Sequence, residues 1–240
     1  MYQAPRGTQD ILPADRPYWR YVTEQMHAVA ALFGYQQIDT PIFEDTSLFV
    51  RGVGQGTDIV DKEMYSFQDK GGDDMTLRPE FTAGLMRAYI EHGMHVWPQP
   101  VKLYSIGPIF RYERPQAGRF RQHTQFDVEA VGEIDPALDV EVMSLAWTLL
   151  SQLGYRGLSF QVNSVGCPKC RPAYRAALVA YFQAHEAELN DVDRRRLAIN
   201  PLRLLDSKEE AAQALLNDAP HSADYLCEEC ATHFAALQSY

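Results

Sequence analysis

Apolar residues recur at Trp19, Val22, Met26, Val29, Ala30 and Phe33, the spacing of one helical face. Pro17 suits the first turn of that helix and Gly34 ends it. From Tyr35 to Phe43 the chain reads as a strand. Pro41 has no N–H to donate, so it points to an edge or an interface rather than a sheet centre. MYSFQDKGGDDMTLRP then reads as a hairpin, with Tyr65 and Phe67 on one arm, Met75 and Leu77 on the other, and Gly71 and Gly72 at the turn. A helix is expected from about Pro79, with Phe81, Leu85 and Tyr89 on one face and Gly93 as its end. VKLYSIGPIF and RFRQHTQFDVEAVG predict a further antiparallel pair. A helix from about Pro136 to Leu153 and a strand at LSFQVNSVG follow.

The character changes at Cys167. From there to Tyr240 the pattern is polar and mostly helical, with a DRRR run and CEEC near its end. The predicted fold is α+β: an antiparallel sheet flanked by helices over residues 1–166, then a small, mainly helical region over 167–240.

Strand alternation sorts the second half of the long hairpin. Phe126, Val128 and Ala130 share the face that belongs in a core. Gln125, Asp127 and Glu129 share the other, with Arg111 and Glu113 expected on the neighbouring strand. A solvated sheet face has the same pattern. The intervening turn changes the picture, because Arg111, Arg114, Arg119 and Arg121 crowd into it. The whole chain of 240 residues carries a formal charge of −10. Planar guanidinium groups grip phosphate oxygens in pairs, and a floor of acids suits an amine or an imidazole. One pocket with both ends fits a phosphate-bearing substrate beside a zwitterion.

Composition narrows the class. A content of 46% hydrophobic and 22% charged residues is ordinary for a globular protein. No stretch approaches the roughly 18 apolar residues of a membrane span, and the opening MYQAPRGTQD has no signal-peptide core, so a cytoplasmic protein is expected. The acidic balance argues against coating nucleic acid by bulk charge. Gly52, Gly54 and Gly56 in RGVGQGTD do not make a nucleotide fingerprint, since no βαβ pattern surrounds them; a flexible loop is expected there. Cys167–Cys170 and Cys227–Cys230 have the CxxC spacing of zinc sites, but the two pairs stand far apart in sequence. Four thiolates could close a structural Zn2+ site. Four ordinary reduced cysteines in a helical unit are the other reading.

FRYERPQAGRFRQHTQFDVEAVG, Phe110–Gly132, resembles motif 2 of the class II aminoacyl-tRNA synthetases in the form of the histidyl-tRNA synthetase family. PRGTQDILP resembles that family's opening, and FGYQQIDTPIFE its motif 1. TDIVDKEMYSF, LRPEFTAGLMRAYIEHG, NSVGCPKCRPAYR and YLCEECATHF are similar to further segments, so the resemblance covers nearly the whole chain. It implies a ligase that joins histidine and ATP, with Mg2+, into histidyl-adenylate and then charges histidine tRNA. It also implies a homodimer through motif 1.

The same resemblance implies the site. Arg111 would bridge the histidine carboxylate and the α-phosphate as the catalytic residue. Glu113 would accept from the adenine amino group and Arg119 would meet the outer phosphates. Glu80, Thr82 and Gln125 would hold the α-amino group, and Glu129 would face the imidazole. His123 stands where the family usually has a phenylalanine stacked on adenine, and histidine can stack as well. Gln55 stands where a glutamate is common. The family continues past the position of Tyr240 with a second histidine-specific segment, motif 3 and an anticodon-binding domain. Activity of this stretch alone is therefore expected to be weak, with an open pocket and an exposed sheet edge. Two other classes remain open. One is a non-catalytic paralogue such as the ATP phosphoribosyltransferase regulatory subunit. The other is a dimerisation or tRNA-binding fragment.

Overall fold

The first predicted helix forms as α1, Arg16–Leu32, in the computed structural model, which describes residues 2–53 and 59–240. Pro17 sits in its first turn, and Gly34, at φ +78°, turns the chain away after its end. The next stretch makes two short strands, β1 (Gln36–Gln37) and β2 (Phe43–Asp45), with Pro41 between them. Helix α2 covers Thr46–Val53. Strands β3 (Tyr65–Gln68) and β4 (Asp74–Leu77) form the predicted hairpin, with Gly72 at φ +94° in its turn. Helix α3 covers Thr82–Glu91, β5 Val101–Phe110, β6 Gln122–Val131 and α4 Pro136–Gln152. The Asp135 carboxylate accepts the Ala137 N–H at 2.8 Å and Pro136 opens the helix, so α4 starts where its sequence signals place it.

The strands form two small sheets, in the orders β1-β5-β6 and β2-β4-β3. Strand β5 pairs antiparallel with β6 from Val101↔Val131 to Phe110↔Gln122. The β1–β5 pair is parallel, where an antiparallel sheet was expected. Pro41 thus links two edge strands, which do not ask it for a ladder N–H.

Arg78 ties the two sheets together. Its amide donates to the Ile42 carbonyl at 2.8 Å, and its carbonyl accepts from Phe110 at 2.9 Å. Its guanidinium donates to the carbonyls of Pro108 at 2.8 Å and Thr40 at 2.9 Å, and lies 4.3 Å from the Phe81 ring centre. A buried cation so fully engaged is a structural brace.

Two apolar clusters cover opposite faces of β5. Tyr104 packs with Val29, Ala30, Leu145 and Leu149 of α1 and α4, joined by Phe126, Val128 and Ala130 from β6. Val101, Leu103 and Ile109 pack with Phe81, Leu85 and Met94 on the α3 side. Fully buried side chains of this size contribute about 1.5–3 kcal/mol each.

The chain divides into two compact units, Met1–Leu158 and Ser159–Tyr240. The expected boundary was 166. The difference lies in LSFQVNSVG, which forms no strand: residues 158–166 find no ladder partner among the described residues. The second unit contains α5 (Arg171–Ala184), α6 (Asp191–Ile199), α7 (Glu210–Leu216) and α8 (Glu228–Ser239). Its core gathers Tyr174, Leu178, Phe182, Leu189, Leu204 and Leu215. The first residue of the DRRR run, Asp193, is buried there. It accepts from Ser207 Oγ at 3.0 Å and from Arg196 at 2.9 Å, so its charge is compensated.

Candidate active site

Strand β6 supplies the floor. The alternation predicted for it holds: Phe126, Val128 and Ala130 pack into the α1/α4 cluster. His123, Gln125, Asp127 and Glu129 therefore share the opposite face, about 7 Å apart from one to the next. On the same side of the sheet, Leu85 of α3 packs with Val101, Leu103 and Ile109 of β5, and α3 also approaches β6.

Thr82 opens the first turn of α3, and Glu80 lies just before it. The helix begins at Thr82 rather than at Pro79, because proline and the two residues after it form the approach to the helix. The Glu80 carboxylate accepts the Ala83 N–H at 3.0 Å and so caps α3. The same carboxylate repels those of Asp127 and Glu129, and the Thr82 hydroxyl acts the other way, favouring the charged form of Glu129.

Three acids converge here, and of the three only Glu80 caps a helix. Burial pushes the Asp127 carboxyl up to about 7, helped by repulsion from Glu129 and Glu80 and opposed by a hydrogen bond from Gln125. Gln125 Nε2 donates to Asp127 Oδ1 at 3.4 Å, while Asp127 Oδ2 is buried without a hydrogen-bond partner among the described residues. Burial also raises Glu129, and Glu80 adds to the rise. A crowded set of half-buried carboxylates stores electrostatic strain that a cation would relieve.

The same crowding predicts a pH dependence. Asp127 is raised from 3.8 unfolded to about 7 folded. Its contribution to stability is complete below pH ~4 and is lost as pH rises through about 7. Asp127→Asn removes that loss. At pH 8 the variant should be about 2 kcal/mol more stable than the wild type, with the difference closing toward pH 4. Urea melts at the two pH values check this.

The arginines stand at the other end. Arg111 and Glu113 follow β5 rather than lie within it, since the strand ends at Phe110. The Arg111 amide still donates to the Arg121 carbonyl at 3.0 Å, and its Nε donates to the Pro79 carbonyl at 2.8 Å. That second bond holds the Arg111 guanidinium against the loop that carries Glu80. Arg119 pairs with Glu113 at 3.2 Å, and Arg114 is exposed. Glu63 also belongs to this end. Burial and Glu113 raise its carboxyl, while Arg111 and Arg119 pull it back.

Arg121 is a brace. Its guanidinium stacks 3.8 Å from the Tyr112 ring centre, and Nε donates to the Glu113 carbonyl at 3.1 Å. Its amide donates to the Gly7 carbonyl at 2.7 Å. A Cβ on Gly7, at φ +83°, would come within 2.8 Å of Arg121 Cγ, so the RGT opening fits this turn only with glycine. His123 is half-buried, with Nδ1 3.3 Å from the Phe120 carbonyl.

The structure thus gathers Glu80, Thr82, Gln125 and Glu129 at one end and Arg111, Glu113 and Arg119 at the other, with His123 on the same β6 face. The alternation put Asp127 on the acidic floor without a specific role, and sequence reasoning gave no role to Glu63 or Gly7. These two meet the site through contacts distant in sequence. Gly54, Gln55 and Gly56 lie outside the described residues. A groove of about 950 Å³ between α2 and α3 reaches Glu80 and Thr82.

In the second unit Cys167, Cys170, Cys227 and Cys230 come together, with all four Sγ atoms within 4.8 Å of one another, a group that could hold a metal ion.

The histidyl-tRNA synthetase family pattern matches residues 7–225. A histidine–tRNA ligase of Dehalococcoides mccartyi is 57% identical over 99% of this chain and 57% of its own length. One of Desulfitobacterium hafniense is 53% identical over 99% of this chain and 56% of its own. The chain therefore spans little more than half the length of these relatives. The crystal structure of apo histidyl-tRNA synthetase from S. aureus superposes with a TM-score of 0.76 at 38% identity, covering 100% of this chain and 54% of that one. A Bacillus halodurans protein described as ATP phosphoribosyltransferase regulatory subunit/histidyl-tRNA synthetase has a TM-score of 0.65 at 22% identity, a likeness of fold alone.

Proposed function

Since the chain belongs to the histidyl-tRNA synthetase family, we propose that it carries the first part of a catalytic domain that activates histidine with ATP and charges histidine tRNA. The observation that carries this reading is the juxtaposition on one floor. A cluster of half-buried acids sits on β6 and in the loop that leads into α3, and Arg111 is tied to the same loop by its bond to Pro79.

In this reading the α-ammonium of histidine lies among Glu80, Thr82 and Gln125, where Asp127 adds negative charge. Glu129 faces the imidazole, whose N–H and ready protonation suit an acid. A histidine carboxylate oxygen attacks the α-phosphorus of ATP. The bond to the β-phosphate breaks and pyrophosphate leaves. Arg111 spans the attacking carboxylate and the α-phosphate, so it aligns the two and meets the charge that builds on phosphorus. Mg2+ enters with the ATP phosphates.

ATP rearranges one pair. Glu113 accepts from the adenine amino group, with His123 stacked on the ring, and Arg119 turns from Glu113 to the outer phosphates. Arg119 is 55% exposed at its side chain and holds Glu113 at 3.2 Å, a pair weak enough to exchange.

A homodimer through the motif 1 region is supported by apolar side chains left at the surface there. Leu32, Ile42, Phe43 and Phe67 are all exposed. No described helix is long and apolar enough to cross a membrane, and the reading places the reaction in the cytoplasm. The non-catalytic paralogue has less support, because the carboxylate cluster and Arg111 would have no joint task in it. Histidine-dependent exchange of pyrophosphate into ATP tests the proposal on the protein at its full natural length. Exchange with histidine is expected, and its absence in a folded protein overturns the reading.

A further inference from the structure

We propose that Cys167, Cys170, Cys227 and Cys230 form a structural zinc site that fastens α8 to the rest of the second unit. The spacing of the sulfurs suits a tetrahedral site. Zinc–thiolate bonds of about 2.3 Å put neighbouring sulfurs about 3.8 Å apart. Here Cys167 Sγ lies 3.7 Å from Cys170 Sγ and 3.8 Å from Cys227 Sγ, and Cys170 Sγ lies 3.9 Å from Cys230 Sγ. A disulfide would need about 2.05 Å, and all four cysteines are free.

The backbone is shaped to present sulfur. The Lys169 N–H points to Cys167 Sγ at 3.4 Å, and the Cys167 N–H to Cys170 Sγ at 3.2 Å. These N–H groups favour thiolate over thiol. Gly166 takes φ +68°, and a Cβ there would stand 2.5 Å from Cys170 Sγ. The loop therefore closes around the sulfur only with glycine. The Lys169 ammonium, paired with Glu229 at 2.9 Å, places positive charge beside a site whose four thiolates and one zinc sum to −2.

The fold gives the site a task. Cys170 is the residue before α5 and Cys227 the residue before α8. Helix α5 buries Tyr174, Leu178 and Phe182 in the unit's core, but α8 buries no residue fully. The metal would join a well-anchored helix to a poorly anchored one across the 56 residues between the two pairs. Four protein ligands leave no open position, so this zinc binds no substrate. The site lies wholly within the second unit and stands or falls apart from the proposed reaction.

The test uses the whole chain, purified without chelator. One zinc per chain by elemental analysis is expected, with four thiols that react with a thiol reagent only after denaturation. Replacement by Co2+ should give the visible d–d and thiolate-to-cobalt bands of a tetrahedral four-sulfur site. Removing zinc should lower the melting temperature of the second unit by about 10 °C or more, and added zinc should restore it. Cys227→Ser should lose the metal. If that variant fails to fold, the Co2+ spectrum and the zinc-dependent melt of the wild type decide. A native chain with four reactive thiols and no stoichiometric metal overturns the proposal. So does stoichiometric iron, or a melt that zinc removal leaves unmoved.

Discussion

Arg111→Ala lowers histidine-dependent pyrophosphate exchange by about 10³-fold or more and leaves the protein folded. One donor aimed at developing charge is worth about 10²–10³ in rate. Arg111 is assigned two partners, the attacking carboxylate and the α-phosphate, so its loss costs alignment as well. A factor of 10³ is about 4 kcal/mol of barrier. The structural cost is smaller. Among the described residues Arg111 gives one side-chain hydrogen bond to the fold, Nε to the Pro79 carbonyl, worth about 1 kcal/mol. Circular dichroism should match the wild type while exchange is lost. Arg111→Lys should fall between the two, because lysine keeps the charge and loses the planar fork. Wild-type exchange by Arg111→Ala removes Arg111 from the reaction.

Glu129→Gln raises KM for histidine by about 10²-fold, roughly 3 kcal/mol, and moves KM for ATP little. The amide introduced by this substitution keeps an acceptor for the Thr82 hydroxyl and removes the charge that faces the imidazole. The split between the two KM values separates this role from a general loss of fold. The substitution also relieves the carboxylate cluster. Glu129 is the first of the two acids that push Asp127 up, so the Asp127 carboxyl should fall below about 7. The variant should then melt at a higher temperature than the wild type at pH 8 while binding histidine less well, a trade of function against stability. An unchanged histidine KM contradicts the assignment.

Much of this was legible in the sequence, for reasons that differ from element to element. The α1 helix carried both periodicity and end signals, Pro17 and Gly34, and α4 was expected from about Pro136. The β6 alternation sorted Gln125 and Glu129 from Phe126 and Val128, because period two leaves no other arrangement once one face is core. LSFQVNSVG failed because alternation says a segment can pair, not that a neighbour is there to pair with. The pairing of Glu113 with Arg119 was not legible, because it depends on the turn at Gly118 bringing the two together. Arg121 was counted with the phosphate-binding arginines. Its stacking on Tyr112 and its bond to Gly7 come from parts of the chain that sequence spacing does not relate.

The central claim is that one floor holds histidine at its acidic end and the ATP phosphates at its arginine end. The most direct test is pyrophosphate exchange into ATP, measured on the protein at full natural length with each of the standard amino acids in turn. Exchange driven by histidine alone, and lost in Arg111→Ala, is the predicted result. Exchange driven equally by other amino acids, or none from a folded protein that binds ATP, would contradict it.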